Sequence, residues 1–123
     1  MMKAAQALSQ WFAQFGLPVY LDGDVPDDAE APYITIPLRE PNWNGRAAFQ
    51  FTVWYHTVSN VEPITKADEI IGVIMQGTRI PFDGGLLVLR MDEDTPQAQI
   101  IIDEDYRGAR ISTVLNSYHM PGE

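Results

Sequence analysis

Apolar residues at Ala4, Leu8, Phe12 and Phe15 open the chain at spacings of four, four and three, which gathers them on one face of a helix. Gly16 and Pro18 then supply the stop signal. Trp11 flanks the stripe, placed either to pack or to sit at an interface. Residues 18–32 (PVYLDGDVPDDAEAP) read as a short extended piece followed by an acidic loop, because no helix survives that proline punctuation. Residues 33–38 alternate and are rich in β-formers. They predict a strand, and Pro37 pushes it toward an edge or a bulge. A loop follows, with Asn44-Gly45 as its turn signal.

Residues 47–58 (AAFQFTVWYHTV) carry the strongest strand pattern. Phe49, Phe51, Val53 and Tyr55 project to one side and Gln50, Thr52, Trp54 and His56 to the other. The first side is a core face. The second is polar but bears an indole and an imidazole, which suits a surface that meets something. Glu62-Pro63 then opens a second helix, with Ile64, Ala67, Ile71 and Ile74 as the expected buried stripe and Gly77 as its end. Gly72 inside that helix implies close packing against a neighbour. The remainder is β-rich: a short extended piece at 78–82, strands at 86–91 and 97–102, and a closing strand at 109–118, separated by Asp/Gly-rich tips. The order α-β-β-α-β-β-β predicts an α+β fold with an antiparallel or mixed β-sheet and two helices packed on one face.

A length of 123 residues fits one domain spanning 1–123. Hydrophobic residues make up 46% of the chain, enough for one core. Cysteine is absent, which excludes disulfides, thiolate metal sites and cysteine nucleophiles and leans toward an intracellular fold. The first residues lack the apolar run of a signal peptide, and no segment reaches the roughly 20 apolar residues of a membrane span. The expectation is a soluble protein made without export, with no membrane partner. With 17 acidic against 8 basic side chains the formal charge is −9, the wrong sign for a phosphate backbone, so a nucleic-acid partner is not expected.

The acidic clusters invite a calcium reading, but counting from Asp22 puts Pro26 and Asp27 where the helical calcium loop needs a ligand and a glycine. Those acids read as solvated turns, with a weak divalent cation at the acidic loops, shared between subunits, as the alternative; no other cofactor is expected. His56 and His119 form no spaced metal motif, although zinc bound by both plus an acid is conceivable. There is no G-x-S-x-G elbow and no phosphate loop, because Gly84-Gly85 is followed by Leu86-Leu87. The chain reads as a non-enzyme. Its exposed aromatic and arginine content points instead to contact surfaces: Trp43 beside Arg39 and Arg46, Trp54 on the polar strand face, and Tyr106, Arg107 and Arg110 clustered near the last strand. Trp43 either joins that surface or folds back onto the core. Acids crowd the loops, so a basic patch on one copy can meet an acidic loop on the next.

The acidic loop running into APYITI, the strand FQFTVWYH, the helix ADEIIGVIMQ, the strand GGLLVLRMD and the charged turn DEDYRGARI together resemble the tail terminator (tail completion, minor tail protein U-like) family of long-tailed phages, over nearly the whole chain. The resemblance implies a structural virion protein of a phage or prophage, made in the bacterial host cytoplasm and placed at the head-proximal end of the tail. It implies a homo-oligomer, a hexameric ring, that caps the tail-tube protein, ends its polymerisation and offers its other face to the head-completion protein. It carries no residue-level site with it. The residues alone nominate Trp43, Arg46, Trp54, Arg107 and Arg110 as contacts, and Asp22, Asp24, Asp27, Asp28 and Glu30 as an acidic partner surface. Alternatives are another head-tail connector or neck protein, or an acidic inhibitor-type module that binds a basic protein.

Overall fold

A computed structural model of the chain describes residues 3–37, 45–92 and 98–119. The first helix, α1 (Ala4–Ala13), forms where the sequence periodicity places it and buries Ala4, Ala7, Leu8 and Phe12. The Gln6 side chain accepts a hydrogen bond from the Lys3 N–H, satisfying one donor that the first turn leaves orphaned. Gly16, at φ +84°, turns the chain away after it. The second helix, α2 (Val61–Met75), carries Glu62 and Pro63 in its first turn and buries Pro63, Ala67, Ile70 and Ile74. This corrects the expected stripe of Ile64, Ala67, Ile71 and Ile74. Ile64 is 37% exposed and Ile71 is only half-buried. Both sets satisfy helical spacing, and contact with the sheet selects the rotation. Gly72 lies on the exposed side, where an added Cβ would meet nothing, so the expected close packing there is absent.

The strands are β1 (Val19–Leu21), β2 (Tyr33–Ile36), β3 (Gly45–Tyr55), β4 (Ile80–Phe82), β5 (Gly85–Met91), β6 (Gln99–Asp103) and β7 (Tyr106–His119). Both short extended pieces of the sequence reading thus become strands, and the closing strand starts three residues early because Arg107 and Gly108 already pair with β3. The sheet runs β1-β2-β3-β7-β5-β4, with β6 also on β7. β1 and β2 are parallel and every other pair is antiparallel, so the fold is α+β with a mixed sheet. β2 is an interior strand, against the edge position inferred from Pro37. That proline falls just past the strand end, where no ladder donor is needed.

β5 and β6 run one after the other along the same side of β7, from His119 back to Tyr106, as two halves of one interrupted strand. β1 and β4 stand at opposite ends of the strand order, yet both touch α1, so the sheet curls into a half-barrel around the helices. Phe12 sits at the centre, 4.8 Å from the Phe51 ring and stacked at 6.0 Å on Phe49. Leu8, Ile34, Ile36, Val53, Ile70, Leu87, Leu89 and Ile111 complete that core.

Candidate interaction surface

Residues directly opposed in the β3–β7 ladder share a face. Phe49 with Thr113, Phe51 with Ile111 and Val53 with Ala109 lie on the helix side. Gln50 with Ser112, Thr52 with Arg110 and Trp54 with Gly108 point away from both helices. On this open face Asp22, Thr35, Pro37, Ala48, Gln50, Thr52, Trp54 and Arg110 line a groove of about 400 Å³. The Trp54 Nε1–H donates to Thr35 Oγ1 at 3.2 Å, and its six-membered ring lies over Gly108, where an added Cβ would sit 3.0 Å from it. The Gln50 amide donates to Ser112 Oγ at 3.1 Å. Local pairing therefore fixes the indole flat against the sheet rather than projecting from it.

Arg110 is half-buried in this groove, and no carboxylate among the described residues pairs with it. Asp22 shares the groove but lies outside ion-pair distance. Arg46 is exposed further along the same face of β3, opposite Asn116. Arg90, opposite Val114, donates its Nε–H to Asn116 Oδ1 at 3.0 Å, so three arginines share the open face. Arg107 does not join them. One residue of strand separates odd from even positions, and Arg107 turns to the helix side, where its Nη1 donates to the Glu104 and Tyr106 carbonyls at 2.9 Å. The expected Tyr106–Arg107–Arg110 cluster is thus split across the sheet.

The acidic loop is exposed at Asp22, Asp24, Asp27, Asp28 and Glu30. Backbone bonds from Asp24 N–H to Leu21 C=O and from Ala29 N–H to Pro26 C=O, both 3.0 Å, fold it into turns. Trp43, Arg39 and the Asn44 position of the predicted turn lie outside the described residues, as do Glu93 and Asp94.

Sequence reading missed the pairing at the end of the open face. His56 Nε2–H donates to Asp105 Oδ2 at 2.5 Å while the imidazole stacks on Tyr106 at 4.7 Å. The His56 hydrogen bond holds the Asp105 carboxyl below its ordinary range, with the neighbouring Arg107 charge adding a little. Tyr20 meets Tyr33 edge-on at 5.5 Å, and burial, then Tyr106, Asp103 and Tyr20, raise the Tyr33 phenol above its ordinary value. No 3.6- or 2-residue period brings residues 49 positions apart together, so only the strand register could have revealed the His56–Asp105 pair.

His56 and His119 stand at opposite ends of the sheet, because Tyr55 pairs with Arg107 and Gly45 with Ser117. Twelve residues of strand separate them by about 40 Å, so one ion cannot take both within a single copy. Among the described residues no group of three or more His, Asp or Glu is placed to hold a metal ion. No helix there is long and apolar enough to cross a membrane. No family model, curated protein or solved structure matches the chain.

Proposed function

We propose that the chain is a structural assembly protein of the tail-terminator kind, which ends a tail tube by presenting its open sheet face to a neighbouring subunit. The observation that carries the reading is the groove around Arg110: a half-buried arginine that pairs with no carboxylate among the described residues, framed by Trp54 and Gln50 on the sheet face that neither α1 nor α2 covers. An arginine partly shielded from water makes a strong bidentate bond once a carboxylate arrives. A net charge of −9 makes copies repel, so close assembly needs a locally basic contact, and Arg46, Arg90 and Arg110 supply one. The exposed acids of the 22–30 loop are the complementary surface. A face on one copy meeting a loop on the next is a heterologous contact, the kind that closes into rings. The hexameric ring, the tail-tube and head-completion partners and the virion location come from the family resemblance, and the reading assigns no catalytic residue.

The test is light scattering after size exclusion over a range of protein concentration, with and without millimolar magnesium, followed by negative-stain imaging. Six-fold rings that vanish in Arg110→Glu, with the far-ultraviolet spectrum unchanged, are the expected result. A monomer under every condition that also fails to cap purified tail tubes would remove the reading. Tight, salt-sensitive capture of a basic protein by that monomer would point to the inhibitor-type module instead.

A further inference from the structure

The sheet has a second unsatisfied feature, distinct from the open face. Among the described residues β6 pairs with β7 alone. The two-residue connection Glu104-Asp105 makes Asp103 and Tyr106 the closing hydrogen-bonded pair of a hairpin, which aims the backbone groups of Gln99, Ile101 and Asp103 at β7. The bond from Asp92 N–H to Ser112 C=O, 3.2 Å, agrees, since it shows an even residue of β7 bonding on this same side. Ile100 and Ile102 therefore turn their N–H and C=O outward, and no group among the described residues meets them.

The β4–β5 end of the sheet is guarded. Thr78 Oγ1 accepts from the Leu89 N–H and donates to the Leu89 C=O, capping β5 where β4 ends. β4 carries Pro81 at its centre. β6, with the sequence QIIID, has no proline, no lysine and no bulge, and Ile102 is 66% exposed. An unguarded edge of β-branched residues is what sheets normally suppress, and it is what strand-addition complexes use.

Charge selects the occupant. Asp103, Glu104 and Asp105 are all exposed at one end of β6. The nearby Arg107 guanidinium is turned to backbone carbonyls. If a second copy paired its own β6 about a two-fold axis through Ile101, Asp103 would fall opposite Gln99, and each acidic turn would approach the other copy's Asp92 end. Like charges then face each other. The remaining edge strands, β1 and β4, are three residues each, and β4 is blocked by Pro81. We infer that the β6 edge binds, by strand addition, an extended segment of another protein, apolar at alternate positions and carrying Lys or Arg at the end that meets residues 103–105. This site does not depend on the ring.

The experiment uses the wild-type chain and three synthetic nine-residue peptides of alternating Thr and Val: one ending in lysines, one ending in glutamates, and one ending in lysines with alternate amides N-methylated. Amide hydrogen exchange is followed by residue. The lysine peptide is expected to slow exchange at Ile100 and Ile102 by about tenfold or more, the glutamate peptide much less, and the N-methylated one not at all. Ile102→Pro removes an outward N–H together with an exposed side chain, and is expected to lose the peptide while its Tm stays within a few degrees; if it unfolds, the exchange data stand alone. Unchanged exchange at both amides with the lysine peptide overturns the inference, and so does equal protection by the glutamate or N-methylated peptide. Protection of both amides in the free protein that grows with its concentration would also overturn it, by making a second copy the occupant.

Discussion

Asp105 shows how much a single contact can be asked to do. Its carboxylate accepts a hydrogen bond from His56, which lowers its folded-state pKa below the ordinary value of 3.8. A depressed pKa contributes stability that is fully present above the unfolded value and lost as pH falls through the folded one. Asp105→Asn should therefore lower Tm at pH 7, and the gap between variant and wild type should close below about pH 3.8. Thermal unfolding across pH 2 to 7 checks the sign; a gap that persists at pH 2 would mean that the carboxylate charge is not the cause. Two glycines make opposite predictions. A Cβ at Gly85 would run into the Tyr118 carbonyl oxygen and sit 2.6 Å from the Phe82 ring, so Gly85→Ala should cost about 1–3 kcal/mol. A Cβ at Gly72 meets nothing and the helix gains propensity, so Gly72→Ala should stabilise by about 0.5–1 kcal/mol. Urea unfolding measures both.

The elements show why short strands escape sequence reading. β1 and β4 have three residues each, too few to display a period, and they become strands because β2 and β5 offer them partners. Thr78, between α2 and β4, is 5% exposed and bonds both backbone groups of Leu89. Thr78→Val keeps the shape and removes both bonds, leaving a buried N–H and C=O unsatisfied. It should cost about 1–3 kcal/mol in urea unfolding. A loss under half a kilocalorie would mean that water replaces the hydroxyl there. The long strands β3 and β7 were legible because eleven and fourteen residues carry a pattern. The rotation of α2 was not, since 63-67-70-74 and 64-67-71-74 are equally helical and only the sheet beneath separates them.

For the whole molecule, the decisive fact is that neighbouring residues of β7 belong to different surfaces. Arg107 ties down the β6–β7 turn on the helix side, while Arg110 lies in the open groove. Under the assembly reading, Arg110→Glu should abolish higher oligomers at unchanged stability. Arg107→Glu should lower Tm by a few degrees and leave the oligomers intact. Paired light-scattering and melting measurements separate the two, and equal loss of assembly in both variants would place the contact at the turn rather than on the open face. The curled sheet gathers Arg46, Arg90 and Arg110 onto one face, and under the assembly reading they form the basic contact that a chain of net charge −9 would need.

By itself the sequence determined the helix and long-strand content, the single core and the two residue sets of β3, because these follow from local spacing and apolar count. It also nominated Trp54 and Arg110, through the rule that aromatics and arginines on a polar strand face mark contacts. What only the tertiary structure decided are quantities set by register between distant segments: the groove that joins Asp22 and Thr35 to Trp54 and Arg110, the Asp105–His56 bond and the edge of β6 that no described strand pairs. Local spacing fixes which side of a strand a residue takes, but not which strand lies next to it. Partner identity across 40 or 60 residues is a property of the closed sheet, where burial of Phe12, Phe49 and Phe51 together selects one pairing over the rest.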